Sequence, residues 1–216
     1  LEVWEELKKS ILYLKKTKKW KLVYKMKKDE KLDIKFMCDS DWAGAASRQT
    51  SVGVVGFVNG NLICSICSLL KTIMTSSTQG ESDSIFEAAK MSQYITNWFM
   101  EITVVDVPCF IFNDNRAAVE ILKVQSNSSR SKHFQVHLRY VTQLVEQKKI
   151  KVMWIKRGDN GADILTHSLN RTDFEHQLML LFNETSVEGL LITRSKSGGV
   201  SNVWMSMMHL EEIKKL

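Results

Sequence analysis

The stretch "FMCDSDWAGA", residues 36–45, puts two aspartates, Asp39 and Asp41, at the end of an alternating run. Strand side chains alternate between faces. Leu32, Ile34, Phe36 and Cys38 therefore share one face, and Lys35, Met37 and Asp39 the other. An aspartate at a strand's carboxyl end either closes a turn or begins a carboxylate cluster that holds a cation. The second reading needs further acids from elsewhere in the chain.

Upstream, "KLVYKM" reads as a short strand, with a polar turn at residues 28–31 before the strand that carries Asp39. Downstream, "TSVGVVGFV" and "NLICSIC" are β-branched runs joined by Asn59-Gly60. That dipeptide is a strong hairpin signal, so residues 32–67 read as a three-stranded antiparallel meander. From Ser77 the period changes: Ile85, Ala88, Ala89, Tyr94, Ile95, Trp98, Phe99 and Ile102 recur every three or four residues, as in a long amphipathic helix. "PCFIFND" suits a central strand buried on both faces. "NRAAVEILK" and "FQVHLRYVTQLVEQ" are helical, "IKVMWI" is a strand, and "ADILTHSL" begins another helix. At the N-terminus, Val3, Leu7, Ile11 and Leu14 lie at helical spacing, which predicts a helix over residues 3–16. Residues from about 184 lose periodicity, "TRSKSGG" is linker-like, and the final "WMSMMHLEEIKKL" fits a short helix. Three strands, a helix, a strand, helices, a strand and a helix make an α/β layer with a mixed sheet.

Acids recur at the ends of these elements. Asp39 ends the first meander strand, Glu81 opens the long helix, Asp114 ends the "CFIFN" strand, and Asp163 opens the helix after the last strand. Each has a local alternative. Thr78-x-x-Glu81 is a capping box; Asp114 can cap the helix that follows; Asp163 suits a helix dipole; Asp39 can close a turn. Four acids on four elements of one sheet nevertheless form a set that divalent cations would relieve of mutual repulsion. Asp41 is left out of that set, because Trp42-Ala43-Gly44 signals a turn.

The net charge of +6 is concentrated in residues 1–35, where twelve lysines face six acids; these residues are either a solvated helix face or a phosphate-binding segment. Cys64 and Cys67 form a lone C-x-x-C whose members point to opposite faces of a strand, so the cysteines read as ordinary thiols of a reducing compartment. No run approaches a membrane span, and no secretory leader is visible. Leu1 at the first position leads to the expectation of a piece of a longer product.

Five motifs, in order over residues 3–182, carry a resemblance. "CDSDWAG" is similar to the Y-S-D-A-D-W-A-G stretch of the ribonuclease H domain of copia-type retrotransposon Pol polyproteins. "SSTQGES" resembles that family's S-S-T-E-A-E-Y, and "FNDNRAAV" its Y-x-D-N-Q-S-A-I. "SRSKHFQVHLRYVTQLV" resembles R-T-K-H-I-D-I-x-Y-H-F-I-R, and "NGADILTHSL" resembles Q-L-A-D-I-F-T-K-P-L. "WEELKKSILYLKKTKKWKLVY" is similar to the end of the reverse transcriptase that precedes this domain. Where the family reads S-W-S-S-K-K-Q-P before the long helix, this chain reads "CSICSLLK".

The resemblance implies a ribonuclease H-like α/β fold, a five-stranded mixed sheet with helices on both faces. It implies residues 1–31 as the end of the reverse transcriptase or a connecting helix, 32–182 as the ribonuclease H-like domain, and 183–216 as a tail. It carries the catalytic, metal-binding acids onto Asp39, Glu81, Asp114 and Asp163, with two Mg²⁺ ions and Mn²⁺ as a substitute. It carries nucleic-acid contacts onto Lys71, Asn115, Arg116, Lys132 and His133. The implied activity is endonucleolytic hydrolysis of the RNA strand of RNA–DNA hybrids during reverse transcription. The partners are the hybrid and the reverse transcriptase domain, no membrane is involved, and the setting is an intracellular, cytoplasmic particle. The order of acids disfavours an integrase, which uses two Asp and a final Glu. The alternative is a diverged, non-catalytic module of the same fold that binds nucleic acid or packs on a polymerase.

Overall fold

The computed structural model describes residues 2–18, 21–25, 30–44, 47–71, 73–103, 107–123 and 132–182. Half of the polar turn expected at 28–31 falls outside these residues, and the expected C-terminal helix falls wholly outside them. The chain forms two compact units, one of residues 24–167 and one drawing on residues 1–23 and on the chain from residue 168.

The latter unit contains α1 (Glu2–Thr17) and a helix later in the chain, Arg171–Phe182. The apolar stripe of α1 is an exposed face: Val3 is 84% exposed, and Leu7, Ile11 and Leu14 are exposed with it, while Leu12 is buried. Helical periodicity marks a shared face but does not supply the surface that covers it.

In the larger unit, β1 (Ile34–Asp41), β2 (Ser51–Val58) and β3 (Asn61–Leu69) form the antiparallel meander. Asn59 and Gly60 both take positive φ, 48° and 74°, as a two-residue primed hairpin turn requires. After the helix α2 (Ser77–Thr103), β4 (Cys109–Asn113) enters parallel to β1. Then come α3 (Arg116–Lys123), α4 (Lys132–Glu146) and β5 (Ile150–Trp154), which is parallel to β4. A 3₁₀ turn (Arg157–Asp159) and a one-turn helix, α5 (Asp163–Thr166), close the unit, and Arg171–Phe182 is α6. The strand order is β3-β2-β1-β4-β5, the five-stranded mixed sheet expected from the sequence.

One face of the sheet carries the core. Ile34, Phe36, Cys38, Val52, Val54, Cys109, Ile111 and Ile150 meet Ile85, Ala88 and Ala89 of α2, Ala118 and Leu122 of α3, and Val141 and Leu144 of α4. The α2–α4 joint is polar as well as apolar: His137 Nδ1 lies 2.8 Å from Asp83 Oδ1, and its ring stacks on Phe86. Toward the end of α2 the stripe is only partly covered: Ile95 and Phe99 pack against the core, while Tyr94, Trp98 and Ile102 are exposed. The opposite face carries α5 against β2. Gly53 makes that approach possible, since a Cβ there would lie 2.9 Å from Leu165 Cβ.

Two expected elements differ. Residues 21–25 form no strand; the side chain of Asn61 bonds both backbone groups of Lys25, its amide at 2.6 Å and its carbonyl at 2.8 Å. "ADILTHSL" yields a single turn, because His167 is already extended at φ −118°, ψ 149°. Cys64 lies on the core face beside Phe36, whereas Cys67 Sγ reaches Leu165 O of α5 at 3.2 Å, so the two do point apart.

Candidate metal centre

Three carboxylates converge. Asp39 on β1, Asp114 just after β4 and Asp163 at the start of α5 each offer an oxygen, and these oxygens lie within 4.8 Å of one another. The parallel pairing of β1 with β4 places Asp39 and Asp114 at the same end of the sheet. Asp39 does not end its strand: β1 continues to Asp41, and Asp39 pairs with Gly53 inside the ladder. Asp41 consequently shares the face of Asp39, contrary to the turn expected there, and its Oδ1 is 3.9 Å from His167 Nδ1.

The local alternatives are taken up by other residues. The capping box of α2 is Ser76…Gln79, not Thr78…Glu81. Ser76 Oγ accepts from the Gln79 amide at 3.2 Å, and Gln79 Oε1 accepts from the Thr75 amide at 3.1 Å. Asn115, not Asp114, caps α3, its Oδ1 accepting from the Ala118 amide at 3.0 Å. Glu81 and Asp114 are thereby released from capping duty, while Asp163 stays in the first turn of α5, where its charge also suits the helix dipole.

Glu81 comes from the second turn of α2, whose start nears β1 because position 80 is glycine; a Cβ there would meet Ser40 Oγ at 3.0 Å. Its Oε2 accepts from Asn113 Nδ2 at 2.9 Å. Asn113 is fully buried and also reaches Cys38 O at 3.2 Å and Ser84 Oγ at 3.3 Å, and its Oδ1 accepts from the Asn115 amide. Asn160, equally buried, donates to the same Cys38 carbonyl at 3.1 Å and accepts from the Ala162 amide at 3.3 Å. Two amide side chains thus tie the strand ends to the turns that carry the acids.

The electrostatics are those of a carboxylate cluster. Burial, then the charge of Asp39, pushes Glu81 up to about 8. Burial, then Asp39 and Asp114, pushes Asp163 up to about 7. Asp114 is raised for the same reasons, burial first and Asp39 second. Cations lean in from the rim. Arg157 Nε is 3.6 Å from Asp163 Oδ2, and His167 Nε2 is 3.3 Å from Asp39 Oδ2. The hydrogen bond to Asp39, chiefly, raises His167. Thr166 Oγ1–H donates to the same Asp39 oxygen. Thr166, His167 and Arg157 were missed in the sequence, where "THSL" read only as a continuing helix.

The residues fit a hard divalent cation. The donors are all carboxylate oxygens, and Asp163 Oδ1 is buried without a hydrogen-bond partner. Oxygens on opposite sides of a Mg²⁺ ion stand about 4.2 Å apart, so the three acids need little closure to share one. Of the expected nucleic-acid contacts, Lys71 is exposed just beyond β3, Asn115 caps α3, and Arg116 lies over the ring of Trp154. The side chains of Lys132 and His133 lie outside the described residues.

A five-stranded mixed sheet of this order, with helices around it and a trio of acids at one end, has the ribonuclease H-like layout expected from the motifs. The chain is similar to copia-type Pol polyproteins. It is 26% identical over 143 residues to the Retrovirus-related Pol polyprotein from transposon TNT 1-94 of Nicotiana tabacum, covering 66% of this chain and 11% of that protein. It is 26% identical over 175 residues to the Pol polyprotein from transposon RE2 of Arabidopsis thaliana, covering 80% of this chain and 12% of that protein. The chain thus spans about a tenth of the length of these relatives. No protein-family model matches it. Among solved structures it is similar to LC11-RNase H1, isolated from compost, with a TM-score of 0.48 and 17% identity over 62% of this chain and 91% of that one. It is also similar to the N-terminal RNase H domain of Rv2228c from Mycobacterium tuberculosis, with a TM-score of 0.46 and 12% identity over 63% and 91% of the two chains. Among the described residues, no helix is long and apolar enough to cross a membrane.

Proposed function

We propose that this chain is the nuclease segment of a retrotransposon Pol polyprotein. In this reading it hydrolyses the RNA strand of RNA–DNA hybrids endonucleolytically, with two Mg²⁺ ions that Mn²⁺ can replace. The observation that supports the reading most is the convergence of Asp39, Asp114 and Asp163 within 4.8 Å. Asp39, Glu81, Asp114 and Asp163 would hold the metal. A bound divalent cation supplies Lewis-acid polarisation of the phosphoryl group and a water acidic enough to attack at neutral pH.

The chain's own residues do the rest. Thr166 and His167 fix the Asp39 carboxylate from one side. Asn113 holds Glu81 from below, with its donor bond to Oε2. Arg157, 67% exposed along its side chain, stands over Asp163 at the mouth of the cluster. Cleared of metal, Glu81 and Asp163 keep protons near neutral pH, so occupancy of the site displaces them. Lys71, Asn115, Arg116, Lys132 and His133 are proposed contacts to the nucleic acid. The reverse transcriptase of the same polyprotein is the proposed neighbour, with residues 1–31 as its end, 32–182 as the nuclease domain and 183–216 as a tail, in a cytoplasmic particle.

The experiment is cleavage of an end-labelled RNA–DNA hybrid by the purified chain, with duplex DNA and duplex RNA as controls. The proposal expects Mg²⁺-dependent internal cuts in the RNA strand of the hybrid alone. A folded chain inert with both Mg²⁺ and Mn²⁺ would instead support a non-catalytic module.

A further inference from the structure

An arginine–aromatic pair stands at the same end of the sheet as the acids. Trp154 is the last residue of β5 and the register partner of Asn113, so it lies beside the residue that precedes Asp114. Its Nε1–H donates to the Asp114 carbonyl at 2.9 Å, which pins the indole to the loop that carries a candidate ligand. The ring is nevertheless 42% exposed. Over it lies Arg116, with its guanidinium carbon 4.2 Å from the ring centroid.

Arg116 is only two residues from Asp114, yet it does not serve the acids. The cations that lower Asp114 and Asp163 are Arg157 and His167. Among the described residues, Arg116 makes no ion pair. A lone arginine beside an acidic cluster would gain by turning toward it; this one is held flat on the indole instead. Stacking occupies a face of the guanidinium and leaves its edge, with the N–H fork, to bind an anion. An anion so placed, next to a site that recruits divalent cations, fits the backbone phosphate of a nucleic acid.

We infer that Trp154 and Arg116 form a preset phosphate subsite, in which Arg116 takes a backbone phosphate of the hybrid and Trp154 is the positioning residue that holds its fork. This rests on the proposed function for the identity of the substrate. It goes beyond that function in assigning Trp154 a role and in making the two side chains a single unit.

The test is binding of a fluorescein-labelled RNA–DNA hybrid to the full chain by anisotropy, in EDTA, across a salt series, so that cleavage plays no part. Arg116→Ala should weaken binding by about tenfold to a hundredfold, the worth of a charge-assisted contact. It should also flatten the log–log salt slope by about 0.9, the loss of one phosphate contact. Arg116→Lys, which keeps the charge but loses the fork, should recover only part of the affinity. Trp154→Leu should weaken binding too, and Trp154→Leu with Arg116→Ala should be no weaker than Arg116→Ala alone, because the ring works through the guanidinium. Circular dichroism keeps misfolding apart, and the Arg116 variants leave the indole bond to Asp114 untouched. Wild-type binding in Arg116→Ala, or losses in the double variant that simply add, would overturn the subsite while leaving the nuclease reading in place. A wild-type chain that fails to bind hybrid at low salt would remove both.

Discussion

Gly53→Ala tests whether α5 is held where it must be. Gly53 faces α5 from the register position opposite Asp39. An added Cβ would sit 2.9 Å from Leu165 Cβ, 3.0 Å from Ala162 O and 3.0 Å from Thr166 Cγ2. Carbon atoms pack best at about 3.5–4.0 Å, so α5 must retreat by roughly half to one ångström. Rotamer changes give little relief, because two of the three obstacles are a Cβ and a backbone oxygen. Strand β2 cannot give way either, being paired on both sides. The retreat carries Asp163 and Thr166 away from Asp39. Over-packing of this kind costs about 1–3 kcal/mol of stability. At about 2–4 °C per kcal/mol for a chain of this size, the melting temperature should fall by several degrees. A misplacement of about 1 Å can lower a rate by about a hundredfold. The assay is the initial rate of hybrid cleavage across a Mg²⁺ titration, beside thermal melts. Gly53→Ala should cut roughly tenfold to a hundredfold more slowly and need more Mg²⁺. Gly60→Ala, strained by φ +74° but with nothing within 4 Å of the new Cβ, should lose stability without changing the Mg²⁺ requirement. A Gly53→Ala protein with the wild-type rate and Mg²⁺ requirement, melting at a lower temperature, would refute the coupling of α5 to the acids.

Other consequences follow from the same geometry. Glu81 and Asp163 titrate near 8 and 7 in the fold, against 4.5 and 3.8 when free, so the native state binds more protons than the unfolded one between these limits. Stability of the metal-free chain should therefore fall as pH rises from about 4 to about 8 and level off above, and Mg²⁺ should raise the melting temperature more at about pH 8.5 than at about pH 6. Melting temperatures flat across that range would contradict the raised acids. Asn113→Leu removes the donor to Glu81 and leaves the Asn115 amide without its acceptor; it should cost about 2–4 kcal/mol in denaturant melts, and an unchanged midpoint would contradict the network. Asp41→Asn should keep most cleavage activity and bind Mg²⁺ normally by calorimetry, since Asp41 faces His167 and lies outside the acid trio.

The meander and its hairpin were legible because their signals are local: alternation through Cys38, and Asn59-Gly60 between β-branched runs. Asp39, Asp114 and Asp163 were legible as acids near element ends, although Asp39 lies inside its strand, but the freedom of Glu81 and Asp114 from capping was not. That freedom depends on Gln79 and Asn115 taking the caps, a difference of one or two positions that several competing cap residues leave open. Asp41 was misplaced because Trp42-Ala43-Gly44 does turn, but only after the strand has passed through Asp41. His167 and Thr166 stayed hidden because helical pattern does not reveal that the chain straightens after one turn. The pairing of Arg116 with Trp154 joins residues 38 positions apart and has no sequence signature, whereas the stripe of α1 shows an apolar pattern that is exposed.

Whether Asp39 holds metal rather than shaping a turn is read by comparing wild type with Asp39→Asn in Mg²⁺-dependent cleavage of an end-labelled RNA–DNA hybrid, with thermal melts of both proteins. Asn keeps the shape and hydrogen-bonding capacity of Asp but lacks the charge a divalent cation needs. On the metal-holding reading, wild type should make internal cuts in the RNA strand and Asp39→Asn none, and Asp39→Asn should melt at or above the wild-type temperature in the absence of metal as carboxylate repulsion is relieved. Equal cleavage by the two proteins, or a folded wild type that cuts with neither Mg²⁺ nor Mn²⁺, would contradict it.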